Sequence, residues 1–210
     1  MQKKVVDWLC DLQSRRGIFK KEEHSLYEYA YRLLLSRILI YSIIIAMAII
    51  TGNWLEMFSF LLPFVILRQY VGGIHLEKIS SCTIVSSIII FFNTQYLTAK
   101  PSLTVPIIIL GLVADGIVYM LAPVDNSNKK LDEVEKQIYG KKAKIILMIE
   151  CIVAFVLYFT QYAIIAKGIV MSHIVLAFGL ILGETKIFLD ISKFKLTALG
   201  KTYKYSIKNK

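Results

Sequence analysis

The chain has little with which to build a cross-linked or cofactor-bearing protein. Its 210 residues include three cysteines, Cys10, Cys82 and Cys151, whose spacing fits neither a disulfide framework nor a set of metal ligands. The glycines do not fit a phosphate-binding spacing, so neither a metal nor a cofactor is expected. No fixed-period repeat and no low-complexity segment is present. No cleavable signal peptide is expected either: the first apolar run starts near Leu33, behind a long charged segment. Acidic residues are also sparse, 15 against 25 Lys and Arg, for a net charge of +10. That excess does not point to a nucleic-acid partner. The bases stand between apolar runs and in the tails, where the positive-inside rule puts them.

What the chain does have is apolar length. It is 56% hydrophobic with a mean hydropathy of +0.60, against roughly 45–50% apolar for a soluble domain. Apolar runs near the length of a spanning helix recur throughout. The pattern predicts one membrane-embedded domain over residues 1–210, an all-α polytopic protein of six transmembrane helices with an amphipathic interfacial helix at its N-terminus. In residues 1–31, Val5, Trp8, Leu9 and Leu12 recur at helical spacing among Lys3, Lys4, Asp7, Asp11, Arg15 and Arg16. That pattern suits a helix lying on the bilayer surface or one packed on the rest of the protein. The spans are expected at residues 33–50, 54–71, 79–97, 103–122, 145–166 and 169–189, with a polar loop at 123–144 and a basic tail at 190–210. Residues 54–67 alone fall short of the roughly 20 that a crossing needs. The second span must borrow residues 68–71, tilt, or dip only partway. Residues 1–37, 68–78, 123–144 and 186–210 hold 23 of the 25 Lys and Arg, the others being Lys100 and Lys167. Six spans with both termini cytoplasmic satisfy that bias.

This topology places residues 68–82 at the cytoplasmic surface, at the entrance to the third span. Cys82 falls in the first turn of that helix, where free N–H groups and the dipole favour a thiolate, and Lys78 adds positive charge. A thiolate beside an imidazole is the minimal cysteine nucleophile pair. On one continuous helix, however, His75 and Cys82 are separated by about 10 Å of rise, too far for a hydrogen bond of roughly 3 Å. Joint action requires a bend, which Gly72-Gly73 can supply. The competing reading is a packed cysteine and a solvated histidine, and the residues alone leave both open. Cys10, Cys151, His24 and His173 are read as packing or solvated groups. Asp115, Glu150, Glu184 and Glu56 lie within spans, where charge is costly. Glu150 and Glu56 suit snorkelling at the interface, whereas Asp115 is deep enough to pair with a base. Glu184, Glu77 or Asp125 is placed to orient His75.

Arg68, Gly72-Gly73, His75 and Cys82 form an Arg-x3-Gly-Gly-x-His-x6-Cys pattern, and Ala122-Pro123-Val124-Asp125 is followed by Asn128-Lys129-Lys130. Together they resemble the accessory gene regulator protein B family, membrane endopeptidases of Gram-positive quorum sensing. The family often has Lys-Pro where this chain has Lys129-Lys130. The resemblance implies that Cys82 is the nucleophile and His75 the general base. It implies a propeptide substrate with an amphipathic leader and an acidic C-terminal segment. That segment is cut off, the core is held as a thioester, and an internal cysteine or serine closes a thiolactone or lactone. It also implies a homodimer in the cell membrane with its site at the cytoplasmic face. Backbone N–H groups around Ser81 and Cys82 suit an oxyanion, and a site sunk into the interface would protect a thioester from water. Arg68, Lys129 and Lys130 suit an acidic segment.

Two other classes compete. A small transporter would line a path with Asp115, Glu150 and Glu184, tolerating Cys82→Ala but not Asp115→Asn. A receptor sensor would lead into a soluble effector, for which the residues after Leu189 are too few.

Overall fold

In lipid every backbone polar group must be satisfied within its own segment, which leaves apolar runs such as these to fold as helices. The computed structural model describes the backbone of residues 2–15, 23–73, 79–100, 102–124 and 131–208. It describes their side chains up to residue 185, apart from 2–4, 15 and 79–82. Among the described residues there are seven helices and no strand: α1 Gln2–Arg15, α2 His24–Thr51, α3 Trp54–Val71, α4 Ile79–Ala99, α5 Val105–Leu121, α6 Glu133–Tyr158 and α7 Ala163–Lys208. Three segments are long and apolar enough to cross a membrane, His24–Thr51, Trp54–Val71 and Ala163–Thr185, with Thr83–Ala99 and Val105–Leu121 as shorter apolar helices. Their outward side chains are themselves apolar, as with Ile50 at 83% exposure and Met120 at 82%. A helix apolar all round is suited to a bilayer rather than to water.

Residue contacts divide the chain into two compact units. The first comprises Met1–Trp54 and Leu76–Phe92. There α1 packs on α2 through Val6 and Cys10, both fully buried against Tyr27, Tyr31 and Leu35. The Tyr31 hydroxyl donates to Gln13 Oε1. This contact stripe runs one residue out of phase with the one the sequence suggests: Val5 and Trp8 are exposed. Burial, with Glu28, Asp7 and Asp11 nearby, pushes the Cys10 thiol above its ordinary pKa.

The second unit comprises Leu55–His75 and Asn93–Lys210. Leu67 and Val71 of α3, Val118 of α5, Leu147 of α6, and Leu176 and Leu180 of α7 share its core. α3 runs without a break through residues 68–71 to Val71, so the short second run is completed by borrowing. Two boundaries differ from the sequence expectation. The polar loop ends at residue 132, because Asp132 Oδ1 accepts from the Glu135 N–H (2.6 Å) while the Glu135 side chain accepts from the Asp132 N–H. That reciprocal cap starts α6 at once, and residues 133–144 are helical. The break between the last two helices lies at residues 159–162 rather than 167–168. Lys167 is therefore inside α7 and fully buried. Its ammonium donates to the Lys100 carbonyl and lies 4.2 Å from the centre of the Tyr96 ring. The two basic residues set apart by the charge count thus meet.

Candidate active site

At the end of α3 the chain turns through two glycines with left-handed backbone angles, Gly72 at φ 75° and Gly73 at φ 102°. Side-chain-bearing residues are strained there. The turn is held from two sides, by Arg68 and by Val124. The Arg68 guanidinium, one helical turn back, donates to the Gly72 carbonyl. The Val124 N–H donates to the Val71 carbonyl at 2.9 Å, and Gly72 pairs with Val124 in an isolated parallel bridge. A Cβ on Gly72 would collide with the Val124 carbonyl oxygen, and one on Gly73 would sit 3.2 Å from the Gly179 carbonyl oxygen of α7. Behind Val124 the chain passes through a cis Ala122-Pro123 bond, with α6 close enough that a Cβ on Gly140 would lie 3.2 Å from Pro123 Cδ. The two stretches that carry the sequence pattern, 52 residues apart at Gly72 and Val124, are thus one built feature.

Cys82 is the fourth residue of α4, in its first turn, with no acidic residue in that turn to oppose a thiolate. The side chains of Cys82 and Ser81 lie outside the described residues, as do His75, Glu77, Asp125, Lys129 and Lys130. Of the supporting residues, Arg68, Gly72 and Gly73 are described, and Arg68 is engaged with the turn itself.

A second constellation lies between α5, α6 and α7. His173 is 1% exposed, and both its ring nitrogens face acids: Nδ1 is 2.7 Å from Asp115 Oδ1 and Nε2 is 2.9 Å from Glu150 Oε2. The Cys151 thiol donates to Asp115 Oδ2 at 3.3 Å. This corrects three readings of the sequence. Glu150 does not snorkel: it is buried, at 9% exposure, and bonded to His173. His173 is no bystander, and Cys151 does have a histidine close by. Asp115 finds the partner that its depth demanded, and that partner is an imidazole. Ionisable groups this deep are costly unless paired, so the cluster fixes three apolar helices to one another. Glu184, by contrast, is exposed and belongs to neither constellation. The signal available in the sequence was an ionisable group inside each of three apolar runs, Asp115, Glu150 and His173.

A model of the accessory gene regulator B family matches residues 3–188. Two relatives from Clostridium perfringens, "Putative AgrB-like protein 2" of strain 13 / Type A and "Putative AgrB-like protein" of strain SM101 / Type A, are each 30% identical over 170 residues. Each alignment covers 74% of this chain and 78% of the relative. No solved structure matches the chain.

Proposed function

Because the chain belongs to the accessory gene regulator B family of quorum-sensing membrane proteins, we propose that it is a multi-pass cysteine endopeptidase. Its substrate is a propeptide with an amphipathic leader and an acidic C-terminal segment, cut at the cytoplasmic face. The observation that carries this reading is the anchored Gly72-Gly73 turn, followed by a helix with Cys82 in its first turn. Glycine at these two positions permits the bend that the His75–Cys82 spacing requires.

In this reading His75 takes the Cys82 proton, and the thiolate attacks the scissile carbonyl carbon. The tetrahedral oxyanion is held by free N–H groups in the first turn of α4. It collapses as the amine of the acidic segment leaves with the proton from His75. The core peptide remains on Cys82 as a thioester. An internal cysteine or serine of that peptide then attacks the same carbonyl, closing the ring and returning the Cys82 thiol. Arg68 supports the reaction by holding the turn through the Gly72 carbonyl, and Lys129 and Lys130 attract the acidic segment. The protein works as a homodimer with both termini cytoplasmic.

The transporter reading is weaker. It needs Asp115, Glu150 and Glu184 along one path, whereas Asp115 and Glu150 converge on His173 and Glu184 stands apart. The test is full-length protein in liposomes with candidate propeptides encoded near its gene, followed by mass spectrometry. Wild type releases the C-terminal segment and a core lighter by one water than the hydrolysed peptide, and Cys82→Ala releases neither. Equal cleavage by both proteins would remove Cys82 from the chemistry.

A further inference from the structure

The buried constellation has the composition and spacing of a metal centre as well as of a helix staple. We propose that Asp115, Cys151 and His173 bind a zinc ion, with Glu150 orienting the histidine. The ligand atoms of the three residues all lie within 4.8 Å of one another. Tetrahedral zinc with N, O and S ligands places neighbouring ligand atoms about 3.4–3.6 Å apart. The observed 2.7 Å from His173 Nδ1 to Asp115 Oδ1 therefore opens by about 0.7 Å on binding, and the 3.3 Å from Cys151 Sγ to Asp115 Oδ2 by only about 0.2 Å. Rotation of the Asp115 carboxylate supplies that movement.

Two features separate this site from a chance cluster. Glu150 contacts Nε2, the ring nitrogen facing away from the other two ligands. A carboxylate on the outer nitrogen is the usual support of a metal-bound histidine, fixing its tautomer and raising its basicity. A thiolate and a carboxylate also cancel the charge of zinc, with the imidazole neutral, so the ion and its three ligands are neutral together and Glu150 carries the one remaining charge. The thiol proton and the proton shared by His173 Nδ1 and Asp115 both leave to solvent on binding, as metal–thiolate and metal–imidazole bonds require. The thiolate and imidazole select zinc over magnesium and calcium.

Three protein ligands leave a fourth position. A cavity of about 490 Å³ is lined by the three ligands and otherwise mainly by apolar side chains such as Leu112, Phe155 and Val170. Water or an incoming donor can complete the shell from that side. The ligands come from three helices at positions 115, 151 and 173, so no short motif announces them.

The test uses full-length protein in detergent, stripped with a chelator and then loaded with zinc(II) or cobalt(II). Wild type is expected to retain one metal ion per chain after desalting and to melt at a higher temperature with zinc. With cobalt it is expected to show a thiolate-to-cobalt charge-transfer band that zinc abolishes. Cys151→Ser, nearly isosteric, loses the band while keeping its helical circular dichroism. Glu150→Gln binds roughly 10- to 100-fold more weakly. Wild type that retains no stoichiometric metal, or an unchanged band in Cys151→Ser, would overturn the site. None of these readouts depends on propeptide cleavage.

Discussion

The turn after α3 and the cluster between α5, α6 and α7 hold the same second unit together by opposite means. The turn is made of backbone: two glycines with positive φ, a guanidinium on a carbonyl, and one N–H bond across to Val124. The cluster is made of side chains, with an imidazole between two carboxylates and a thiol alongside. The turn's residues crowd into a few positions and leave a pattern that can be read by eye. The cluster's residues lie 35 or more positions from Asp115 and meet only once the helices pack. A motif of contiguous residues advertises a site, whereas a network drawn from three helices has to be assembled before it can be seen.

Substitutions at the two regions should separate chemistry from cohesion. The largest effect belongs to Cys82→Ala, which should lower propeptide cleavage by at least about 1,000-fold while leaving thermal stability near that of wild type. His173→Ala should do the reverse. It leaves the buried Glu150 and the half-buried Asp115 without their shared partner, at a cost of about 3 kcal/mol, read as a lower melting temperature in detergent. If His173→Ala melted like wild type, the cluster would not be holding the helices.

Within the turn the two glycines are unequal. Gly72→Ala drives a Cβ into a backbone carbonyl at φ 75°, which nothing can relieve cheaply, and should cost about 2 kcal/mol. Gly73→Ala meets first the Arg68 guanidinium, 2.5 Å away, the far end of a flexible side chain that can withdraw by giving up its bond to the Gly72 carbonyl. It should cost about 1 kcal/mol. Both should reduce cleavage, Gly72→Ala the more, and equal effects would show that contact with Val124 is not what matters.

The smallest effect concerns the thiols. A buried thiol with a raised pKa stays neutral at pH 7, so Cys10 should alkylate with maleimide more slowly than Cys82. Its preference for the protonated form stabilises the fold below the ordinary thiol pKa. That contribution is lost as pH rises through the raised value, so Cys10 labelling should accelerate only in alkali. Faster labelling of Cys10 at pH 7 would contradict the packing of α1 on α2.

The legible parts of the fold were those written in local pattern. Apolar runs marked the helices, and the shortness of residues 54–67 left extension through Arg68, tilt and a partial dip as alternatives, of which α3 shows the extension. The glycine pair announced a bend because few other residues fit one. The missed features depended on tertiary context. The break expected between residues 166 and 169 is instead helix, and Gly168 sits inside α7 where its missing side chain admits Ser59 of α3. Asp132 and Glu135 fit a capping box, but the charged residues after them looked like loop. His173 looked idle because both of its acid partners come from other helices.

The central claim is that Cys82 carries the peptide as a thioester, and intact-protein mass spectrometry tests it most directly. Full-length protein in liposomes is mixed with a cognate propeptide whose internal cysteine or serine is replaced by alanine, so that ring closure cannot discharge the intermediate. The account predicts that the protein gains the mass of the leader and core without the acidic segment. Hydroxylamine should remove that mass, and Cys82→Ala should never acquire it. An adduct that persists in Cys82→Ala, or release of the acidic segment by wild type with no adduct on the protein, would contradict it.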